Sequence, residues 1–173
     1  MTTKPLFRKV LQVGLVVRDS EATARRYWED FGIGPWRFYT LDPANTPNMR
    51  FRGRPVKHSF RAALASIGGL TLELIEPLDG ASVYSEHLQA HGEGLHHLAL
   101  AVDDYESARS RLKESGFGEL QGGRPYGVND YSYFDTARAL GFITELQSEE
   151  APGKSRHRSR LCPRLPAASI LYS

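Results

Sequence analysis

The chain has 173 residues, a mass of 19.4 kDa and a formal net charge of +2, with 40% hydrophobic and 24% charged residues. No stretch approaches the roughly 20 apolar residues of a membrane-spanning helix, and the polar start lacks the apolar segment of a signal peptide. The single cysteine, Cys162, excludes an internal disulfide and a multi-cysteine zinc site. We therefore expect a soluble cytoplasmic protein that does not bind membranes.

The positive charge is concentrated at the end of the chain. Residues 151–173 carry +5, while residues 1–150 carry −3 from 17 basic and 20 acidic side chains. This basic segment has no hydrophobic periodicity and no aromatic platform on which bases would stack. We expect residues 149–173 to be disordered or to be an extension added by cloning, and we expect no nucleic-acid partner.

The rest of the chain contains an internal repeat with an offset of 85 residues. QVGLVVRD, residues 12–19, aligns with HLALAVDD, residues 97–104, and a helical pattern follows each of these strands. Asp19 and Asp104 have the residue type and position of helix N-caps. The repeat therefore predicts two modules that begin in the same way.

The second halves of the modules also correspond. TLELIEP, residues 71–77, parallels FITELQS, residues 142–148, and strand-like sequence precedes each of them. A short helix in SVYSEHLQAHG, residues 82–92, joins the modules. Each module reads as a strand, a helix and about three strands, so we predict that residues 8–80 and 93–148 pair to form one α+β domain, residues 8–148.

Polar residues stand at matching positions of the two modules. Residues two apart in a strand share a face, so Gln12 and His97 would lie on the face that carries small residues. His96 would then point to the opposite face, toward a covering helix. The small neighbours leave room beside His97.

Two glutamates interrupt the last strands of the modules, and a buried carboxylate is costly unless it is paired or binds a metal. If the first and last strands of each module are neighbours, Gln12 lies near Glu73 and His97 near Glu145. One imidazole nitrogen and three side-chain oxygens suit a divalent Zn, Co, Ni or Mn ion. Singly, each residue could be a solvent-facing glutamate or a core histidine, but the matching register of all four favours a metal site.

These residues resemble the vicinal oxygen chelate superfamily, whose domains pair two βαβββ modules in a curved mixed sheet around a central metal. The resemblance covers about residues 8–148. GEGLHHLALAVDD and LTLELIEPL look most like methylmalonyl-CoA epimerases, and the ligand positions implied by the resemblance are Gln12, Glu73, His97 and Glu145. It also implies a homodimer that acts on a small-molecule substrate.

The sequence departs from the epimerase pattern at two places. Methylmalonyl-CoA epimerases have histidine at the position of Gln12, and the set found here is similar to that of some lactoylglutathione lyases. The epimerases also carry a glutamate, proposed as a base, before the third strand of the first module. The matching segment RPVKHSFR offers Lys57 and His58 but no acid.

The resemblance implies proton transfer next to a carbonyl, with a metal acting as a Lewis acid. Glu145 is the first candidate for the general base and Glu73 the second. His58 is a third catalytic candidate if it points inward, although an exposed histidine in a basic strand is the simpler interpretation.

The basic segment MRFRGRPVKHSFR, residues 49–61, contains five lysine or arginine residues and no acid, so it is either a solvated charged surface or an anion-binding site. Its substrate-binding candidates are Arg50, Arg52 and Lys57, and Tyr133 is a candidate for an aromatic pocket. Such a surface could hold a carboxylate or the phosphates of a coenzyme A thioester.

Two other functions stay open. Resistance-type proteins of the same superfamily bind small molecules without reacting them, and they commonly lack the metal residues. Extradiol dioxygenases hold iron with two histidines and a carboxylate, whereas glutamine at position 12 leaves one histidine at the ligand positions. The complete ligand set favours a metal-dependent isomerase, epimerase or lyase.

Overall fold

The computed structural model describes residues 4–128, 130–148 and 170–171, which form one sheet of eleven strands and four α-helices. The strands are β1 (Val10–Val16), β2 (Trp36–Leu41), β3 (Arg50–Phe51), β4 (Arg54–Pro55), β5 (Ser59–Ile67), β6 (Leu70–Asp79), β7 (Gly94–Val102), β8 (Glu119–Gly123), β9 (Tyr131–Phe134), β10 (Ile143–Ser148) and β11 (Ile170–Leu171). The helices are α1 (Ser20–Phe31), α2 (Val83–His91), α3 (Tyr105–Glu114) and α4 (Ala137–Leu140), with a 3₁₀ turn at Pro125–Gly127. The predicted α+β class with two strand–helix–strand repeats is confirmed.

The predicted caps begin the two helices that follow the first strands. The side chain of Asp19 accepts a hydrogen bond from the backbone N–H of Ala22 at 2.9 Å, and Asp104 accepts one from Ser107 at 2.7 Å. Each carboxylate satisfies a backbone donor that the first turn leaves without an intrahelical partner. The repeat is thus preserved down to the cap geometry.

The sheet order is β11-β2-β5-β6-β1-β7-β10-β9-β8-β3-β4. At its centre, β1 and β7 pair antiparallel and join the two repeats. The last strand of each repeat, β6 or β10, runs parallel to the first strand of the same repeat. This is the neighbour relation on which the predicted meeting of Gln12 with Glu73 and of His97 with Glu145 depends.

A connection between the two ends of the sheet shows how strongly it is curled. Residues 42–49 link β2 to β3, whose residue Arg50 pairs with Gly122 of β8. In a flat sheet these strands would be about 38 Å apart, at roughly 4.8 Å per strand. The connection reaches at most about 32 Å at 3.6 Å per residue, so the sheet must curve into a cup.

The β3–β4 hairpin therefore extends the edge of the second repeat although it belongs to the first. The division into modules 8–80 and 93–148 stays a prediction. The pairing of β3 with β8 joins a strand of the first predicted module to a strand of the second. The predicted tail, 149–173, lies outside the described residues except for residues 170–171, whose backbone pairs with β2. No helix among the described residues is long and apolar enough to cross a membrane.

Helices cover both faces of the sheet. On the convex face, α1 packs with the cluster that contains Trp36 and Leu74, and α3 packs with the cluster that contains Phe134 and Leu146. Helix α2 lies on the concave face, where Tyr84 joins a third cluster. The members of this cluster are Val16, Leu41, Phe60, Ala62, Ile75, Val83, Tyr84, Leu120, Tyr131 and Tyr133.

Glu119 joins four elements at the edge of the second repeat. Its carboxylate accepts from Arg50 of β3 at 3.0 Å, from Arg109 of α3 at 2.8 Å and from Ser132 of β9 at 3.0 Å, and Lys113 lies 2.7 Å away. Burial alone would raise the pKa of Glu119, but these hydrogen bonds outweigh burial and lower the pKa to about 2. The folded protein therefore favours the ionised carboxylate.

We expect Glu119→Gln to destabilise the protein at pH 7 by about 2–3 kcal/mol, because it removes a carboxylate that neutralises several partly buried cations. The folded pKa lies below the unfolded value, so the contribution is complete above about pH 4.5 and is lost as the pH falls toward 2. Urea unfolding of both proteins between pH 7 and pH 2 measures the difference.

Glu114→Gln is the matched control, since Glu114 is an exposed glutamate at the end of α3, the helix that supplies Arg109 and Lys113. It should change stability by less than about 0.5 kcal/mol. A wild-type advantage over Glu119→Gln that stays constant down to pH 2 would contradict this role for Glu119.

Candidate metal centre

Strand pairing brings the predicted ligands together at the middle of the concave face. Gly14 of β1 is in register with Glu73 of β6 on one side and with His97 of β7 on the other. His97 Nε2 lies 3.1 Å from Glu145 Oε2 and 3.6 Å from Glu73 Oε2. The His97 ring is fully buried, and 6% of the Glu145 side chain and 13% of the Glu73 side chain are exposed.

Gly14 provides the space that the His97 ring occupies. A Cβ atom at this position would lie 2.0 Å from His97 Cε1 and 2.4 Å from His97 Nε2. No side chain can be accommodated at that distance without moving the ring. The small-residue face predicted from the sequence thus has a specific purpose, which is to seat the imidazole.

Two buried polar atoms at this point lack hydrogen-bond partners among the described residues. His97 Nε2 and Glu145 Oε2 are 3.1 Å apart, yet their geometry is not that of a hydrogen bond, and both are without a partner among the described residues. Burial and repulsion from Glu145 raise the pKa of Glu73 well above its ordinary value, against a hydrogen bond from Gln12. Two carboxylates that repel each other in a buried site favour the binding of a cation.

The side-chain amide of Gln12 makes hydrogen bonds to two neighbours. It donates to Glu73, and its Oε1 accepts from Gln147 Nε2 at 3.3 Å. Sequence reasoning missed Gln147, which lies two residues after Glu145 on the same strand face; the alternation of Glu and Gln in that strand was the available signal.

As the side chains are placed, the described residues contain no group of three or more His, Cys, Asp or Glu with the geometry to hold a metal ion. The Gln12 oxygen points to Gln147, so the amide would have to turn before it could bind one. The four-residue ligand set therefore remains a prediction, with its members assembled on one face.

His96 does not point away from His97, which corrects the predicted face. Gly14 pairs with His97 and Leu15 with Leu95, so β7 has one extra residue at His96. Such a β-bulge turns a side chain out of the regular alternation. The two imidazoles consequently meet, with 3.0 Å between His96 Nδ1 and His97 Nδ1.

The chain matches a known protein family over most of its length. Residues 11–134 match the family described as the Glyoxalase/Bleomycin resistance protein/Dioxygenase superfamily. The chain belongs to this superfamily. The matched region includes Gln12, Glu73 and His97, whereas β10, which carries Glu145, follows it.

Several of the similar proteins are epimerases. The chain is 28% identical over 116 residues to the ethylmalonyl-CoA/methylmalonyl-CoA epimerase of Cereibacter sphaeroides, covering 65% of this chain and 75% of that protein. The crystal structure of methylmalonyl-CoA epimerase from Mycobacterium tuberculosis superposes with a TM-score of 0.64 at 21% identity, covering 87% of this chain and 94% of the other.

A variant of the Streptomyces coelicolor enzyme, solved in complex with 2-nitronate-propionyl-CoA, gives a TM-score of 0.61 at 21% identity. The superposition covers 84% of this chain and 96% of that one. At these identities the structural matches establish the fold, which is the curled mixed sheet of the vicinal oxygen chelate superfamily.

Tyrosines line the concave face of this superfamily member next to the candidate ligands. Tyr133 pairs in register with Glu145, and its ring centroid lies 4.8 Å from that of His97. Its hydroxyl lies 3.0 Å from that of Tyr84 on α2, and burial, followed by Glu145, raises the pKa of Tyr133 well above its ordinary value. Tyr84 could not be predicted here, because nothing local indicates which face of the sheet α2 covers.

Ion pairs occupy much of the predicted basic segment. Arg50 pairs with Glu119, and the exposed Arg52 pairs with Glu86 of α2 at 2.9 Å. Lys57 is exposed and has no ion pair within the described residues. Arg50 and Arg52 therefore hold the hairpin to the rest of the fold, whereas Lys57 is available to an anion.

His58 is buried, so the interpretation as an exposed residue is wrong. It has 2% exposure, stacks on Phe60 with 5.9 Å between ring centroids, and burial lowers its pKa. Neither ring nitrogen has a hydrogen-bond partner among the described residues, so His58 is not bonded to Glu73 or Glu145.

We expect Gly14→Ala to displace the His97 ring, lower stability by about 1–3 kcal/mol and weaken Zn²⁺ binding at least tenfold, because the new methyl group overlaps the imidazole. Thermal unfolding and calorimetric Zn²⁺ titration measure the two effects. Gly118→Ala is the control, since a Cβ there meets nothing within 4 Å. Equal behaviour of the two variants would contradict the role of Gly14.

Proposed function

We propose that this chain is a metal-dependent epimerase-type enzyme that moves a proton on the carbon next to the carbonyl of an acyl-coenzyme A thioester. The observation that carries the proposal is the buried group of His97, Glu73 and Glu145 at the centre of the concave face. The name of the Cereibacter relative supports a coenzyme A thioester as the substrate class.

The residues that would hold the ion are His97 through Nε2, Glu73 and Glu145 through their carboxylates, and Gln12 through Oε1. Metal–ligand bonds of 2.0–2.2 Å place two ligands of one ion roughly 2.9–3.6 Å apart. The 3.1 and 3.6 Å separations around His97 Nε2 fit this range. One nitrogen and three oxygens suit Zn, Co, Ni or Mn. A bound divalent ion would supply Lewis acidity toward two neighbouring substrate oxygens.

Glu145 is our first candidate for the residue that takes the proton, because its Oε2 is buried and has no hydrogen-bond partner among the described residues. Glu73 is the second, since burial and the neighbouring Glu145 raise its pKa and so make its carboxylate a stronger base, although it also accepts from Gln12. An epimerase needs a base on one face of the reacting carbon and an acid on the other. Two carboxyl groups that share the site can serve as that pair.

Tyr133 would form one wall of the substrate site next to His97. Helix α2 would restrict access of water to the concave face. Lys57 is an exposed cation of residues 49–61 that has no ion pair among the described residues, and we assign it to the coenzyme phosphates, with Arg50 and Arg52 shaping the loop. We further propose that the enzyme acts in the cytoplasm as a homodimer.

Gln12 and the acid-free segment around His58 separate the proposed enzyme from a strict methylmalonyl-CoA epimerase. His58 is not bonded to either carboxylate, so it does not replace the missing acid through a direct contact. We therefore propose the reaction class, with 2-substituted acyl-coenzyme A thioesters as substrates.

Metal content tests the ligand assignment directly. We expect the wild type, loaded with Zn²⁺ or Co²⁺ and then desalted, to retain about one ion per chain, and His97→Ala and Glu145→Ala to lose it. His91→Asn is the control, because His91 is exposed on α2. Elemental analysis gives the readout, and unchanged metal in the two ligand variants would overturn the assignment.

Solvent exchange tests the reaction. With 2-substituted acyl-coenzyme A thioesters in deuterated water, the loaded wild type should incorporate deuterium at the α carbon, and Glu145→Gln should exchange at least 100-fold more slowly. Mass spectrometry of the recovered thioester measures incorporation. Tight binding of unreacted ligand without exchange would contradict the enzyme and favour a resistance-type binding protein.

A further inference from the structure

The bulge in β7 gives His96 a fixed position against His97. The extra residue brings the two ring centroids to 5.3 Å with an interplanar angle of 86°, and the Nδ1 atoms to 3.0 Å. In a regular strand the rings would point to opposite faces. The bulge is therefore the local feature that creates the contact.

Other rings enclose His96 and hold it in place. It is 97% buried, and its ring centroid lies 5.5 Å from that of Tyr84, 5.7 Å from that of Tyr133 and 5.2 Å from that of His87. Two of these neighbours lie on α2 and one on β9. A ring packed on several sides cannot rotate away, so it also restrains the imidazole that it touches.

The contact between the two Nδ1 atoms requires one donor and one acceptor. A neutral imidazole has one of each, so a proton on one Nδ1 excludes a proton on the other. His97 directs its Nε2 toward Glu145 and Glu73. A lone pair on that Nε2 requires the His97 proton to be on Nδ1, and His96 Nδ1 must then accept it.

We infer that His96 is a positioning residue that sets the tautomer of His97, accepting its Nδ1–H so that Nε2 keeps the lone pair that faces the two carboxylates. The inference rests on the proposed metal function. Histidine ligands commonly donate their second N–H to a carboxylate, a carbonyl or water. Here a second histidine takes that part, and its own Nε2 is buried without a partner among the described residues.

Zn²⁺ affinity of three His96 variants tests the inference. Asparagine can place an oxygen at the position of Nδ1, glutamine places its polar end at Nε2, and phenylalanine keeps only the ring. We expect His96→Asn to bind Zn²⁺ within about threefold of wild type, and His96→Gln and His96→Phe to bind about 10- to 100-fold more weakly. His91→Asn, an exposed change on α2, should bind like wild type.

Nitrogen-15 NMR of the unmodified protein provides a readout that does not depend on a variant. With Zn²⁺ bound, His97 should carry its proton on Nδ1 and His96 on Nε2. A proton on His96 Nδ1 in the loaded protein would overturn the inference, as would full Zn²⁺ affinity in the glutamine and phenylalanine variants.

The two proposals fail differently. Zn²⁺ binding that requires His97 but is insensitive to His96 contradicts this inference alone. If the wild type binds no Zn²⁺, the proposed metal function fails and this inference fails with it.

Discussion

The antiparallel pairing of β1 with β7 is the contact on which the rest of the structure depends. It joins the two repeats and sets Gly14 beside His97. Because side chains alternate along a strand, a shift of one residue in this register would carry the histidine to the convex face. The same pairing lets β6 and β10 approach from opposite sides, so that one carboxylate arrives from each repeat. A symmetric fold thus produces a site with unequal halves, since glutamine stands where the other repeat has histidine.

Stability alone does not explain the polar centre. Two carboxylates, an imidazole and an amide occupy a face that otherwise buries Val16, Ile75 and several aromatic rings. Apolar side chains of similar volume would make a more stable core. The hydration free energy that charged groups lose on burial exceeds the energy of their attraction to one another. Glu119 differs from this polar centre. At the edge of the sheet, arginine and lysine side chains bond to its carboxylate and stabilise its charge. Where a buried group is left without such compensation, function is the better explanation of its presence.

Local patterns predicted the strands, the helix caps and the four polar positions, because alternation and capping depend on residues close in sequence. The repeat suggested that the first and last strands of each module are neighbours, so Gln12, Glu73, His97 and Glu145 could be expected on one face. Long-range contacts determined what could not be predicted. The bulge at His96 arises from the register between two strands, and the placement of Tyr84 depends on where α2 crosses the concave face. The burial of His58 likewise depends on packing against Phe60, which the basic sequence around it does not indicate.

The β3–β4 hairpin links the two repeats. It leaves the first repeat and forms the edge of the second, where Arg50 meets Glu119 across 69 positions of sequence. Such non-local contacts are slow to form, since a long loop must close before any pairing stabilises it. We expect the hairpin to dock late in folding, after β8 and β9 have paired. Because of this exchange of an edge strand, the edge of the second repeat is built partly from residues of the first.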